Sequence, residues 1–475
     1  MKPISTHRLI TNEQMRLSDR QAEETGVPVD QLIENAGACI AEEIGKRYQP
    51  GKIVVLAGPG NNGQDGLAAA KRLAVAGWEV ELWEYFEHRD PPEFDGVDLI
   101  LDALFGAGLS RPLGDDVQAL IRHVFQTRIP VVSVDIPSGI DGDTGWGKPI
   151  GFQAELTVTF FRKKPGHLLY PGLENCGEVV CCDIGIKDEV AEGLGKPIIY
   201  ENHPDLWKHA YPCRIAQAHK YKYGHVVCIS GYLPKSGAIR LSAKAALRIG
   251  AGLVTIASPN DALVPHAANA DELMLARCNS RLELSGILGD PRKNAIVIGP
   301  GLGLGSHARD MLAEAFSARA PVVVDADAIT FHMERADLLF RTIRHHKPPT
   351  IMTPHEGEFV RLFPDVHGSK LERAKIAAKR SGAIIVFKGP DTVIATPDDE
   401  YVINTNASPF LATAGTGDVL AGMIGGLLAQ GLPAFDAACA AVWLHGKAGD
   451  RPGPGLVAGD LIDNLPGLLA DTFYT

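Results

Sequence analysis

No apolar run in the chain approaches the roughly 20 residues that a membrane-spanning helix needs. The opening residues, Met1-Lys2-Pro3-Ile4-Ser5-Thr6-His7, contain no apolar stretch of signal-peptide length. A protein that is neither membrane-embedded nor secreted is therefore expected. Positive charge is not in excess either: 46 Lys and Arg against 57 Asp and Glu give a formal net charge of -11. That balance favours solubility and argues against nucleic acid or an anionic membrane as the main partner. The eight cysteines, Cys39, Cys176, Cys181, Cys182, Cys213, Cys228, Cys278 and Cys439, form no C-x-x-C pair. Most stand in apolar, strand-like or helix-like surroundings, so free thiols in a reducing cytoplasm are expected. Cys181 and Cys182 are neighbours on a predicted strand and point to opposite faces, which argues against a shared zinc. Short-period repeats and low-complexity tracts are also lacking, so solenoid and linker-rich architectures are not supported.

What is present fits a large globular enzyme. The 475 residues are 45% hydrophobic and 22% charged, a length that corresponds to about two or three domains at roughly 150 residues each. Short β-branched runs alternate with longer helical patterns, the signature of parallel α/β layering. Strands are predicted at 52–57, 97–101, 131–134, 156–160 and 179–182, each ending near Gly, Asp or Pro. The pattern loses regularity between Ile184 and Pro212, and 187–204 reads as a connection or peripheral helix. A second alternation begins at His225 and runs through 253–257, 295–299, 321–325, 350–353 and 383–388, with a helix over 242–252. Two α/β/α domains are therefore expected, 1–205 and 206–475, with ligands beyond the carboxyl ends of the strands.

The stretch Ala412-Thr-Ala-Gly-Thr-Gly-Asp-Val-Leu-Ala-Gly422 carries the most chemistry. Its small residues before a helix present several backbone N–H groups to one anion. Asp418, beside that anion, is placed to take a proton from a hydroxyl that attacks a phosphoryl group. The plainer reading is a tight turn with Asp418 as a capping residue.

In the first domain the strand 52–57 leads into Gly58-Pro-Gly-Asn-Asn-Gly-Gln-Asp-Gly66, then a helix over 67–76. Gly58, Gly60 and Gly63 fit G-x-G-x-x-G in its required strand-to-helix setting. That motif alone allows an NAD-dependent dehydrogenase, with Glu84 as a candidate acid on the next strand. Asn61, Asn62 and Asp65 set the loop apart, because they can hold a cation and hydrogen-bond a ligand as well as accept phosphate. Asp102 and Asp135 follow on later strand ends. The oxygens of Asn62, Asp102 and the Ser138 carbonyl suit an alkali or alkaline-earth ion, whereas turn-capping acids are the alternative.

In the second domain Gly299-Pro-Gly-Leu-Gly303 follows a predicted strand, and Asp325 and Asp327 follow another. Thr353-Pro-His-Glu-Gly-Glu358 puts His355 and two acids on a loop, and Phe387-Lys-Gly-Pro-Asp-Thr392 sets a cation beside a turn.

Residues 10–185, through the Gly58 loop, Asp102-Ala-Leu-Phe-Gly106, Val134-Asp-Ile-Pro-Ser-Gly139 and Lys164-Pro-Gly-His167, resemble the NAD(P)H-hydrate epimerase domain. The resemblance implies that Asn61, Asn62, Gly63, Gln64, Asp65, Gly106 and Asp135 contact the hydrated nicotinamide nucleotide. It implies potassium on Asn62, Asp102 and Ser138. Gln64 departs from the glycine usual in that family, which adds a side chain near the expected ligand. Residues 215–470 resemble the ribokinase-like superfamily, and within it the ADP-dependent NAD(P)H-hydrate dehydratase domain. The carrying stretches are Tyr223-Gly-His, 236–254, the Gly299 loop, 353–358, Lys388-Gly389 and Gly415-Thr-Gly-Asp418. Here the resemblance implies substrate contacts from Ala238, Gly301, Gly303, His355 and Asp418. It implies ADP contacts from Lys388, Gly389, Pro390, Asp391, Thr392 and Gly417, with magnesium on the nucleotide phosphates. Residues 405–414 carry fewer glycines than many relatives, so a stiffer loop is expected.

The implied reactions are interconversion of the R and S forms of a nicotinamide ring that has gained water at C6, and ADP-driven loss of that water from the S form. Inversion at C6 needs an acid and a base; Asp135 and Asp102 are the candidates. In the dehydration Asp418 deprotonates the C6 hydroxyl as it attacks the terminal phosphoryl of ADP. Phosphate then leaves where hydroxide could not, which gives NAD(P)H and AMP. The alternatives are an ATP-dependent kinase of a small hydroxymethyl metabolite and a non-catalytic nucleotide-binding scaffold. NAD(P)HX and ADP are the expected ligands of a cytoplasmic homo-oligomer.

Overall fold

Strand segments that are apolar at every position must be covered on both faces, and they build two parallel sheets in the computed structural model, which describes residues 6–86, 91–109, 111–215 and 217–473. The chain divides into two compact units, Met1–Glu201 and Asn202–Thr475. Strands of the first unit are β1 (Arg8–Leu9), β2 (Lys52–Ala57), β3 (Glu79–Glu84), β4 (Leu99–Ala103), β5 (Val131–Val134), β6 (Leu156–Phe160), β7 (Glu178–Cys182) and β8 (Ile198–Glu201). Six of them form an all-parallel sheet in the order β3-β2-β4-β5-β6-β7. The short β1 pairs antiparallel with β8. Alternate residues of each strand feed opposite cores. Ile53, Val55, Leu99 and Leu101 pack with Ile40, Ile44 and Leu73, whereas Val54, Leu56 and Ile100 pack with Val117, Leu120 and Val124.

The second unit contributes β9 (His225–Ile229), β10 (Leu253–Ser258), β11 (Met274–Arg277), β12 (Ala295–Ile298), β13 (Val322–Val324), β14 (Thr350–Met352), β15 (Ile384–Phe387), β16 (Thr392–Ala395) and β17 (Glu400–Asn404). Their order is β17-β16-β15-β14-β13-β12-β9-β10-β11. Pairing is parallel from β11 to β15, and β16 and β17 follow β15 as antiparallel strands. In each sheet the chain winds one way from a starting strand and then returns to its other side. The resulting switch points, between β2 and β4 and between β9 and β12, are where such folds bind ligands.

Several boundaries differ from the sequence reading. The helix after β2 spans Asn61–Val75, so it starts at the asparagines rather than at Leu67. The helix expected over 242–252 spans Ser236–Arg248. The 187–204 segment holds a helix, Asp188–Gly193, and the strand β8. Strands β11, β16 and β17 are unannounced: β11 is a half-exposed edge, and β16 and β17 form a hairpin whose apolar content is short. No helix among the described residues is long and apolar enough to cross a membrane.

Candidate active sites

At the end of β2 the chain turns so tightly that side chains are excluded. A Cβ on Gly58 would lie 1.7 Å from the Leu104 carbonyl oxygen, and one on Gly63 would lie 1.9 Å from the Gly58 carbonyl oxygen. The helix that follows is N-capped by Gly60 with no side-chain hydrogen bond, which leaves its first amides open to a ligand. Asn61, Asn62 and Asp65, on one helical face, line a cavity of about 510 Å³ together with Gly106, Ala107 and Asp135. Gly63 and Gln64 do not line it. Helical rotation turns Gly63 onto the Gly58 carbonyl and sends Gln64 outward to a separate groove with Asp30, Glu34 and Lys71. Gln64 therefore leaves the first cavity as wide as a glycine would.

Asp135 follows β5 in a left-handed conformation, φ 64°, a position that costs a non-glycine residue on the order of 1 kcal/mol and is found at functional sites. Its Oδ1 accepts from Lys164 Nζ at 2.6 Å and from the Thr159 hydroxyl at 3.0 Å, and its Oδ2 accepts from Ala107 N at 2.9 Å. Lys164 is wholly buried. Burial raises Asp135, but the Lys164 ammonium and the Ala107 amide outweigh it and hold the carboxyl at about 2. His167 braces the pair. Its Nδ1 accepts from Lys164 N at 2.9 Å, so the proton sits on Nε2, which donates to the Asp135 carbonyl at 2.8 Å. Burial keeps this ring neutral, with its pKa lowered to about 4.

Asp102 is placed differently. It is fully buried, and it accepts from Ser138 Oγ (2.5 Å), Ser138 N (2.8 Å), Ser133 Oγ (2.9 Å) and Leu104 N (3.3 Å). Burial raises it to about 6 against those donors. Fully buried and absent from the cavity wall, it lacks the access to a ligand that the expected proton-transfer role needs. Asp102 Oδ1, Ser138 Oγ and the Phe105 carbonyl converge, the last two 3.1 Å apart. Asn62 Oδ1 stands beside Gly106, and Asn62 Nδ2 is buried without a partner. The oxygens of Asp102, Ser138, Phe105 and Asn62 form the all-oxygen donor set that fits a monovalent cation, and the Asn62 Nδ2 donor is left for an acceptor on a ligand.

In the second unit, Gly415 caps the helix Thr416–Ala429 at φ 91° with no side-chain hydrogen bond, so the first amides again face outward unsatisfied. Thr416 Oγ1 ties the preceding turn to the carbonyls of Leu411 (2.9 Å) and Thr413 (3.0 Å), which holds the glycine-poor loop in place. Asp418 has its carbonyl fixed by Ser242 Oγ at 2.7 Å. Burial and the neighbouring Asp325 raise its carboxyl to about 6. Lys388 Nζ lies 2.8 Å from Asp325 Oδ1 and 4.0 Å from Glu358 Oε2, and a Cβ on Gly417 would lie 3.3 Å from it. Burial lowers Lys388, but Asp325, Glu358 and Asp418 reverse the effect and raise it. The four groups thus share one site: Lys388 as its cation, Asp325 and Glu358 as hard oxygen donors beside it, and Asp418 as the acid in the first turn of the helix.

The remaining expected residues divide between this site and its scaffold. Gly301 at φ 64° lets the loop after β12 approach the Lys235 carbonyl, and Gly303 N donates to Asp327 Oδ2 at 2.9 Å. Ala238 sits in the first turn of Ser236–Arg248. His355 ends its loop and N-caps the helix Glu356–Leu362, which takes in the two acids expected on that loop; its Nδ1 accepts from Gly357 N and Glu358 N, which leaves Nε2 at a half-exposed edge. Asp391 is buried against Lys370 at 2.6 Å, and Thr392 Oγ1 closes the turn on the Gly389 carbonyl at 2.7 Å, so both shape the loop after Lys388 from inside. Pro390 is exposed and Gly389 half-exposed beside them.

Sequence reasoning missed Asn12, Arg16 and Asp19, which line the first cavity from the helix Asn12–Glu24. A signal existed: with Met15 they fall at i, i+3, i+4 and i+7, the spacing of one helical stripe. It also left Lys164 and His167 without roles, although both stand in the motif that carried the family resemblance.

A family model described as NAD(P)H-hydrate dehydratase matches residues 226–459, and one described as YjeF-related protein N-terminus matches 29–95 and 86–166. Curated relatives named bifunctional NAD(P)H-hydrate repair enzyme Nnr include that of Gloeobacter violaceus, 35% identical over 90% of this chain and 89% of the relative. The Escherichia coli protein of the same name is 31% identical over 98% of this chain and 94% of its own. Among solved structures, an ADP/ATP-dependent NAD(P)H-hydrate dehydratase from Bacillus subtilis, co-crystallised with ATP and Mg2+, is 29% identical with a TM-score of 0.50, covering 57% of this chain and 98% of its own. A ribokinase-like superfamily protein from Enterococcus faecalis gives 27% and 0.52, covering 58% and 96%. Two matched domains in the same order, and relatives aligned over most of their length, establish that the chain belongs to the bifunctional NAD(P)H-hydrate repair enzyme family.

Proposed function

We propose that the two sites divide the repair of hydrated nicotinamide nucleotides between residues 1–205 and 206–475. The enzyme interconverts R and S NAD(P)HX and dehydrates the S form to NAD(P)H. The observation that carries the reading is the meeting of Asp418, Lys388 and Asp325 at the uncapped start of Thr416–Ala429. A hydroxyl on C6 placed there loses its proton to Asp418 as it attacks the terminal phosphoryl of ADP. The Gly415–Gly417 amides and Lys388 take up the charge that develops on the phosphoryl oxygens. Phosphate then departs from C6 as the ring nitrogen's electron pair moves in, and the resulting iminium loses a proton from C5 to solvent, which forms the C5=C6 bond and gives NAD(P)H, AMP and phosphate. Asp325 and Glu358 offer the oxygen donors for a nucleotide-bound magnesium, which neutralises phosphate charge when present.

In the first site the amides of Asn61 and Asn62 bind the ligand's phosphates, and Asp135, kept ionised by Lys164, faces the ring. Asn62, Asp102 and Ser138 would hold potassium, which supplies a fixed positive charge beside those phosphates. Eight cysteines outside any disulfide support a cytoplasmic setting, and self-association belongs to the same proposal.

Purified R and S NADHX mixed with ADP tests this directly, read as recovery of NADH absorbance. The intact chain consumes both epimers. Asp418→Ala abolishes recovery, and Asp135→Ala leaves only the S epimer promptly repaired. A stable phosphorylated product without NADH recovery would instead support the small-molecule kinase.

A further inference from the structure

Epimerisation at C6 needs one group that protonates the departing hydroxyl and another that accepts a proton from the incoming water. The first site contains four carboxyls, and two are committed to the protein. Asp102 accepts four hydrogen bonds with no exposed surface. Asp135 is clamped by Lys164, Thr159 and Ala107 N. Asp19 and Asp65 differ. They line the same cavity from two walls, the helices Asn12–Glu24 and Asn61–Val75, and only burial and through-space charge act on either. Asp135, Asp19 and Lys164 act on Asp65, and Lys164 and Asp135 act on Asp19. Arg16 and Arg111 are the other charged side chains on the cavity wall.

We infer that Asp65 and Asp19 are the proton-transfer pair of the epimerisation, an inference that rests on the epimerase reading of this unit. In one direction the Asp65 carboxylic acid gives its proton to the C6 hydroxyl. The C6–O bond breaks, water leaves, and the nitrogen lone pair becomes the second bond of an N1=C6 iminium. Water then adds to the opposite face, the iminium electron pair returns to nitrogen, and the surplus proton passes to the Asp19 carboxylate. The opposite inversion uses the same pair with roles exchanged, and solvent returns the proton between turnovers. Asp135 remains the anion that faces the cationic ring. Burial and the nearby Asp135 raise Asp65 to about 8, and burial raises Asp19 to about 6, so near neutrality one is protonated and the other ionised.

The test uses the full chain, R-rich NADHX and excess ADP. The S epimer gives a fast phase of NADH recovery and the R epimer a slow phase limited by inversion. Asp65→Asn and Asp19→Asn should each slow the second phase by about 10²- to 10⁴-fold while the fast phase persists. Asp65→Glu and Asp19→Glu, which keep a titrating group, should recover part of the rate. The wild-type slow phase should fall below about pH 6 and above about pH 8, with Asp19→Asn losing the acid limb and Asp65→Asn the alkaline one. In H₂¹⁸O the phosphate released from the R epimer should gain one ¹⁸O. An unchanged slow phase in either Asn variant, an unchanged pH profile, or phosphate without ¹⁸O would overturn the inference. A wild-type slow phase no faster than spontaneous inversion would overturn the epimerase reading instead.

Discussion

Lys164 shows how one side chain can set the charge state of a site it does not line. It is fully buried, and its ammonium is neutralised by Asp135 with Thr159 as a further partner. Removing one member of such a pair strands the other without solvent. Lys164→Met should therefore destabilise the first unit by about 3–5 kcal/mol, measured by denaturant unfolding, and Asp135→Asn in that background should restore part of the loss. Asp65 works in the other direction. Held at about 8 in the folded chain and near 4 when unfolded, it binds more protons folded than unfolded between those values, so it lowers stability as pH rises from roughly 4 to 8. Asp65→Asn should raise the unfolding temperature of the first unit at pH 8 and change it little near pH 4. A site residue that costs stability in its working pH range is one kept for another reason.

At the scale of elements, the helix Thr416–Ala429 is seated by glycine. A Cβ on Gly422 would lie 2.0 Å from the Ser242 carbonyl oxygen, one on Gly425 2.3 Å from Val297 Cγ2, and one on Gly426 2.4 Å from Ile249 Cγ2. The stripe lets the helix lie directly on Ser236–Arg248 and β12, and this contact aims Asp418. Gly422→Ala should cost at least about 1–3 kcal/mol by overpacking and reduce NADH recovery with ADP, because the helix must move off its neighbour. Much of this layering was legible in the sequence. The strands after Lys52, Val131, Leu156, His225 and Ala295 stand where their β-branched runs predict, since central parallel strands are apolar at every position. Edge strands such as β11 lack that signal because one side meets solvent. The start of the helix at Asn61 was hidden for a different reason: Gly, Asn and Asp favour turns in isolation, and only packing against Gly58 and Leu104 makes them helical. The Gly58 and Gly415 turns could be read as anion sites from their residues. The clamp on Asp135 could not, because Lys164 is brought to it by the fold from 29 residues away.

For the whole molecule, two candidate sites built from different stretches of the chain imply that each defect should be repairable from outside. A mixture of Asp135→Ala and Asp418→Ala chains should convert R-rich NADHX to NADH as completely as the wild type, with the S epimer passing through solvent. Failure of the mixture, with each single defect confirmed, would mean that the S epimer does not reach the other chain. The helix Asn12–Glu24 has a consequence of its own. It supplies one wall of the first cavity, yet the family model begins at residue 29. The matched core therefore holds the floor of this chamber, and this helix is a door set outside it. Relatives that agree closely over the core are free to differ in what this wall admits.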